Sequence, residues 1–260
     1  MSALLPLEEA LARILSSVSR NPEVESVPLV QAVNRVLAQE VISAIDVPGE
    51  DNSAMDGYAL RAADAPGPLP ISQRIAAGAT GKMLAPGSAA RIFTGAAVPP
   101  GADAVVMQEN CIEQGGELEI QGEVLPGQNI RPRAQDIGAG EVVLKVGRRL
   151  RPQDLGLLAS VGCAEVQVYR PLKVAVLSTG DELVEPGNEL GQGQIYNSNR
   201  YTLKGLLQSA GCDVIDLGIV PDTLEATLDV LKRAAAAADL VLTSGGVSVG
   251  EEDYVRIALE

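Results

Sequence analysis

Histidine and tryptophan are absent from this chain, phenylalanine occurs once, and aromatic residues make up only 2% of it. Without an imidazole, Ser-His-Asp and Cys-His catalysis and His-ligated zinc or iron are excluded. The three cysteines, Cys111, Cys163 and Cys212, include no close pair, so they read as small buried hydrophobes in a reducing compartment rather than as redox or metal ligands. Positive charge is scarce as well: 20 basic residues face 34 acidic ones, for a formal net charge of −14. That balance argues against nucleic acid or an anionic membrane as the main partner. No stretch approaches the roughly 18 consecutive apolar residues of a membrane span, and Met1 to Glu9 lacks a basic region before an apolar core, so a cytoplasmic location is expected. What remains for chemistry is carboxylates, hydroxyls, a few Lys and Arg, and backbone amides. An anionic ligand would need Mg²⁺ or a local cluster of donors to offset the acidic field.

What is present is enough apolar material for a core, 46% of 260 residues, and a repeated strand pattern near the end. Lys173–Leu177, Cys212–Gly218 and Ala238–Thr243 are short, largely apolar runs suited to a parallel sheet covered on both faces. The segments between them read as helices. Asn197-Ser198-Asn199 offers N-caps before Tyr201–Ala210, with Gly211 as C-cap, and Asp222-Thr223 precedes Leu224–Ala237, where Leu224, Leu228, Leu231 and Ala235 share a face. Strand, helix, strand, helix, strand is a parallel α/β unit with right-handed crossovers, and such sheets bind ligands beyond the carboxyl ends of their strands. Asp181, Glu182, Asp222 and Asp253 are therefore expected to converge on one pocket. In Ser244-Gly245-Gly246-Val247-Ser248, paired glycines would let backbone amides approach an anion, Ser248 could donate a hydroxyl, and a helix starting near Glu251 would add its dipole. A glycine turn forced by sheet geometry is the competing reading. Asp253 could hold Mg²⁺ on a phosphate or merely stabilise the helix start.

The earlier part of the chain has a different texture. Pro6–Val18 is an amphipathic helix whose stripe of Leu7, Leu11, Ile14, Leu15 and Val18 is expected to pack into a core. Leu29, Val30, Val33, Val36 and Leu37 suggest a second, short helix. From about Val41 to Ala139, short alternating runs such as Ala89–Thr94 and Ala104–Met107 are separated by Pro-Gly turns, which points to a small β barrel or sandwich. Gly140–Gly162 reads as a connector with a helix over Gln153–Val161. The β region is thus an insertion into a larger α/β scaffold. Within it, Asp51–Ala59 gathers acids, an amide and a hydroxyl, and Arg131-Pro132-Arg133 beside Asp136 could hold a phosphate or oxyanion. Asx turns and solvated ion pairs are the alternatives.

Several strings together resemble the molybdopterin molybdenumtransferase family, known as MoeA in bacteria and as the gephyrin E domain in animals. They are Asp51-Asn52-Ser53-Ala54-Met55-Asp56-Gly57-Tyr58-Ala59, Phe93-Thr94-Gly95-Ala96 with Val98-Pro99, Ser178-Thr179-Gly180-Asp181-Glu182-Leu183, Gly193-Gln194-Ile195-Tyr196 and Ser244–Gly250. The resemblance runs over nearly the whole chain; Glu50 and Gln135 depart from the usual residues. It implies a three-layer α/β domain of the MoaB/Mog-like, molybdopterin-binding type over 1–23 and 171–260, a connecting or dimerisation segment over 24–42 and 140–170, and an inserted β domain over 43–139. A C-terminal β domain, with the Lys-Pro-Gly-Lys-Pro and Gly-Asn-Pro segments, is expected to lie beyond this chain, leaving an open sheet edge and an inactive fragment.

The activity the resemblance implies is insertion of molybdate into adenylylated molybdopterin with Mg²⁺-dependent release of AMP, in a homodimer that interacts with a molybdopterin adenylyltransferase and downstream cofactor-handling proteins. Residue by residue, it extends catalytic roles to Asp56, Thr94, Asp136, Glu182, Asp222 and Asp253. Asp222 and Asp253 would position the metal, Ser178, Thr179, Gly180, Asp181, Gly245, Gly246 and Ser248 would hold the cofactor precursor, and Glu182 or Asp222 would serve as any general base. The other readings are a pyrophosphohydrolase of the CinA-like type and a non-enzymatic, gephyrin-like scaffold.

Overall fold

The computed structural model describes residues 5–18, 23–246 and 254–259. The chain divides into two compact units. One draws on residues up to Gln39, on Gly147–Leu155 and on residues from Glu165 onward, and the other on Glu40–Val146 and Gly156–Ala164.

In the first unit, strand Lys173–Thr179 lies at the centre of a three-stranded parallel sheet, between Asp213–Val220 and Leu240–Ser244. Val174 to Ser178 are all buried, as a strand covered on both faces requires. The crossovers are helices Ser198–Ser209 and Leu224–Ala237. Asn197 caps the first by accepting from the Arg200 amide (3.3 Å), and Thr223 caps the second by accepting from the Ala226 amide (3.3 Å). Gly211, in a left-handed conformation, follows the end of the first.

The second helix does not bury the stripe the sequence suggested. Thr227, Val230 and Ala234 face the core, with Leu231 packed beside them, while Leu224 and Ala235 are exposed. The Thr227 hydroxyl donates to the Thr223 carbonyl (2.9 Å), which removes the cost of burying it. Short side chains then bring the helix close to Leu177 and Val220.

Two further expectations are corrected. Helix Leu7–Ser17 buries none of its residues, and Leu7, Leu11, Ile14, Leu15 and Val18 are all exposed among the described residues, so its apolar stripe is not part of this unit's core. The short helix expected over Leu29–Leu37 is a single 3₁₀ turn, Leu29–Gln31, followed by strand Val36–Leu37. Asn34, at φ 65°, breaks the run between them. Val36–Leu37 and Val24–Pro28 flank Glu165–Tyr169 in a three-stranded antiparallel sheet. Their partner lies more than a hundred residues away, so local pattern could not reveal the pairing.

The second unit is built on a mixed sheet in the spatial order Ala104–Met107, Gly57–Leu60, Ala89–Ile92, Leu69–Ile75, Glu117–Ile120, Cys111–Gln114. Successive side chains alternate between two apolar clusters: Tyr58, Leu60, Ala89 and Val106 fall in one, and Ala59, Ala90, Ile92 and Val105 in the other. The expected barrel or sandwich is therefore one six-stranded sheet with a core on each face. Apart from Tyr58, its layers are filled mainly by Ala, Val, Leu and Ile. A Cβ on Gly57 would lie 1.9 Å from the Val106 carbonyl oxygen, so only glycine fits there.

Asp154, at the start of helix Pro152–Ser160, is buried and accepts from the Arg148 guanidinium (2.9 and 3.1 Å) and from the Arg151 amide (2.9 Å). The bonds from Arg148, helped by those from Arg151, hold its pKa well below the usual 3.8 against the opposing effect of burial. Asp154→Asn should therefore lower stability at pH 7 by about 1–3 kcal/mol, read as a shift in denaturation midpoint. A depressed folded pKa gives a contribution that is complete above the unfolded value and lost as pH falls through the folded one, so the two midpoints should converge in strong acid.

Candidate functional site

The parallel register places three strand ends level. Thr179 pairs with Val220, and Ser178 with Ser244, so the loops that follow, Gly180–Glu182, Pro221–Thr223 and Gly245-Gly246, leave from one edge of the sheet. There the Asp181 amide donates to Asp222 Oδ2 (3.1 Å) and the Asp222 amide donates to Asp181 Oδ1 (3.2 Å). This reciprocal clasp holds two carboxylates side by side. Glu182 folds back over Gly180, whose missing Cβ would lie 2.4 Å from Glu182 Oε2.

Gly245 sits at φ 102° with its backbone against the central strand, where a Cβ would lie 2.7 Å from Thr179 Oγ1 and 2.9 Å from the Thr179 carbonyl oxygen. Gly246 also has positive φ, at 74°. Beside them, Asn199 Nδ2 donates to Ser244 Oγ (3.0 Å) and Ser178 Oγ donates to Asn197 Oδ1 (3.4 Å). Asn197 is buried and its Nδ2 has no protein partner. Asp181, Glu182 and Asp222 are thus gathered with Ser178, Thr179, Gly180, Gly245 and Gly246, whereas Ser248, Asp253 and the expected helix start near Glu251 lie outside the described residues. Among the described residues no group of three His, Cys, Asp or Glu is arranged to hold a metal ion.

The second unit gathers its three polar strings into one cluster. The Gly95 amide donates to the Ser53 carbonyl, the Ser53 amide to the Ala96 carbonyl and the Val98 amide to the Asp51 carbonyl, while Asn52-Ser53 pairs with Ile130-Arg131. Asp56 Oδ1 accepts from both the amide and the hydroxyl of Thr94, each at 2.8 Å. The Thr94 amide bond, followed by the hydroxyl bond and the charge of Arg91, holds the Asp56 carboxyl below its ordinary value despite partial desolvation. Neither arginine of the third string is uncommitted: Arg131 Nη2 is 2.6 Å from Asp136 Oδ2, and Arg133 Nε donates to Asp46. A phosphate would have to displace a carboxylate from either, which leaves the ion-pair alternative as the observed arrangement. Sequence reasoning missed the Asp181–Asp222 clasp and the unpartnered Asn197 Nδ2. The first depends on strand register, and the second on a helix cap being sealed from solvent.

Residues 5–162 match the family model described as "MoeA N-terminal region (domain I and II)". The chain belongs to that family. Residues 175–260 match a second model, "Probable molybdopterin binding domain". The chain is 45% identical to a molybdopterin molybdenumtransferase of Haemophilus influenzae over 99% of its own length and 65% of that protein's. It is 41% identical to a protein of the same name from a Nostoc species, over 93% of its own length and 57% of that protein's. It therefore spans less than two thirds of these relatives. The crystal structure of a molybdopterin biosynthesis MoeA protein from Pyrococcus horikoshii superposes with a TM-score of 0.87 at 36% identity, covering 94% of this chain and 67% of that one. These likenesses bear out both the family resemblance and the fold class, an α/β molybdopterin-binding type domain with a β insertion.

Two substitutions test the geometry. Thr94→Val removes the second-largest cause of the low Asp56 pKa and leaves the largest, so the Asp56 carboxyl should titrate at higher pH than in the parent yet still below 3.8, as followed by carboxyl ¹³C shifts. Gly245→Ala combines a left-handed φ with a clash against Thr179 and should cost about 1–3 kcal/mol in thermal or denaturant unfolding.

Proposed function

We propose that the protein of which this chain is part acts in molybdenum cofactor biosynthesis as a molybdopterin molybdenumtransferase. It would take adenylylated molybdopterin and molybdate and release AMP. The observation that carries this reading is the Asp181–Asp222 clasp at the carboxyl edge of the parallel sheet, beside the paired glycines. It is supported by family membership and by the names of the relatives.

The clasp suits Mg²⁺. Each carboxylate commits one oxygen to an amide and keeps the other available, Oδ1 of Asp222 and Oδ2 of Asp181. Magnesium typically takes one or two carboxylates and completes its shell with water and substrate phosphate, so a two-carboxylate set fits it better than an all-protein cage would. Of the clasp, Asp222 would hold the ion, with Asp253 as the second ligand that the family resemblance implies; the ion when bound would offset the charge of a pyrophosphate.

The chain's own groups would do the rest. Backbone amides at Gly245 and Gly246, with Ser178, Thr179, Gly180, Asp181 and Ser248, would hold the precursor. The unpartnered Asn197 Nδ2 is a further donor at the same edge. Glu182, folded over Gly180 and exposed, would accept a proton from an attacking oxygen where one is required. Asp56, Thr94 and Asp136, all in the second unit, would have the catalytic roles that the family resemblance implies. We further propose a homodimeric, cytoplasmic enzyme supplied by a molybdopterin adenylyltransferase. No described helix is long and apolar enough to cross a membrane. Neither a CinA-like pyrophosphohydrolase nor a gephyrin-like scaffold draws specific support from the site.

In the full-length protein, Asp222→Asn should slow AMP release from adenylylated molybdopterin by about a hundredfold and raise the Mg²⁺ concentration needed for half-maximal rate. An unchanged rate across the Mg²⁺ titration would remove the metal-holding role from Asp222. Failure of the full-length protein to restore molybdoenzyme activity in a strain lacking the transferase would remove the function itself.

A further inference from the structure

On the second unit's sheet, two arginines stand side by side. Leu69–Ile75 and Ala89–Ile92 run parallel with Arg74 paired to Arg91, so both side chains project from the same face. Phe93, two residues beyond Arg91, shares that face, and both guanidiniums lie over its ring, Arg74 at 4.5 Å and Arg91 at 4.8 Å from the centroid. Arg91 also lies over Tyr58 (4.9 Å) and donates to the Gly57 carbonyl (3.1 Å) and to Gln108 Oε1 (2.6 Å). Among the described residues neither arginine forms an ion pair, although the chain carries 34 acidic residues against 20 basic.

Like charges directly opposite each other across a strand pair repel. Several other arginines of the chain are matched to carboxylates: Arg131 to Asp136, Arg133 to Asp46, Arg148 to Asp154, Arg170 to Asp239 and Arg200 to Asp216. Here the nearby acids have other partners. Asp56, which feels the Arg91 charge, accepts from Thr94, and Glu113 accepts from the Tyr58 hydroxyl (2.6 Å). Arg91 is fixed by its two rings and two hydrogen bonds, whereas Arg74 is exposed and makes no polar contact with the described residues, so its donors remain available. A pair of cations over one ring, with no carboxylate in an ion pair to either among the described residues, is preorganised for a compact dianion.

We propose that Arg74 and Arg91 form a binding subsite for a tetrahedral oxyanion, either the free ion or a phosphate monoester. The subsite lies wholly in the second unit and does not depend on the roles proposed for the strand-end carboxylates.

The test follows the side-chain Nε–Hε signals of Arg74 and Arg91 in the 260-residue chain as inorganic phosphate or AMP replaces chloride at constant ionic strength. Saturable shifts of both signals are expected with at least one probe, and the tighter probe identifies the free ion or the ester as the source. Arg74→Gln, at an exposed position that fills no core, should weaken binding about tenfold. Arg91→Lys, which retains the charge and spares the packing on Tyr58, should weaken it less, and Arg233→Gln in helix Leu224–Ala237 should leave it unchanged. The absence of saturable shifts with both probes, or equal affinity in the parent and Arg74→Gln, would overturn the proposal.

Discussion

The parallel pairing of two strands with Lys173–Thr179 is the constraint from which the first unit's site follows. Because both neighbours bond to one central strand running in the same direction, their carboxyl ends must emerge together. The pairing with Asp213–Val220 is not uniform. Between Val176 and Ser178 the partner strand advances by one extra residue, at a bulge containing Gly218 with φ 76°. The bulge brings Val220 level with Thr179 and carries Asp222 opposite Asp181. A regular ladder would shift the following residues by one position and turn the Asp222 side chain away.

That bulge is itself held by charge. Burial alone would raise the pKa of Asp216, but bonds from Arg200, Lys204 and the Gly218 amide overcome it and hold the carboxyl below its ordinary value. Asp216 is thus an ion-paired brace whose Oδ1 receives the amide of the bulge glycine. The same division of labour recurs at Asp239, which joins Arg170 to the Lys173 amide at the opposite end of the central strand. Carboxylates with cationic partners brace this unit, while among the described residues Asp181 and Asp222 are held by each other's backbone amides.

The legibility of these features from sequence follows the range of the forces behind them. Caps at Asn197 and Thr223 act within three residues, so local pattern sufficed. The apolar run Val174–Leu177 reads as a buried strand because nothing polar interrupts it. The buried stripe of helix Leu224–Ala237 was misread because Thr227 counts as polar until its hydroxyl is seen bonded to the Thr223 carbonyl. Strand Val24–Pro28 and the Arg74–Arg91 pairing depend on partners brought together only by tertiary register, and no spacing rule reports them. In the site, the motif strings announced where acids and glycines would collect. Which carboxylate would meet an amide, and which an arginine, was settled by backbone geometry.

The residue types that are missing shape the chemistry as much as those present. With no histidine, the chain has no side chain whose unperturbed pKa lies between pH 5 and 8. Groups that could have been drawn into that range are moved away from it. Burial pushes the Cys111 thiol up to about 11, and burial together with Glu113 pushes the Tyr58 hydroxyl up to about 12. Asp56 and Asp216 move in the other direction, held down by hydrogen bonds. These groups keep a constant charge through neutrality, whereas a phosphate monoester takes up its second proton near pH 6. Within each unit, these side chains therefore contribute a charge that does not change near pH 6.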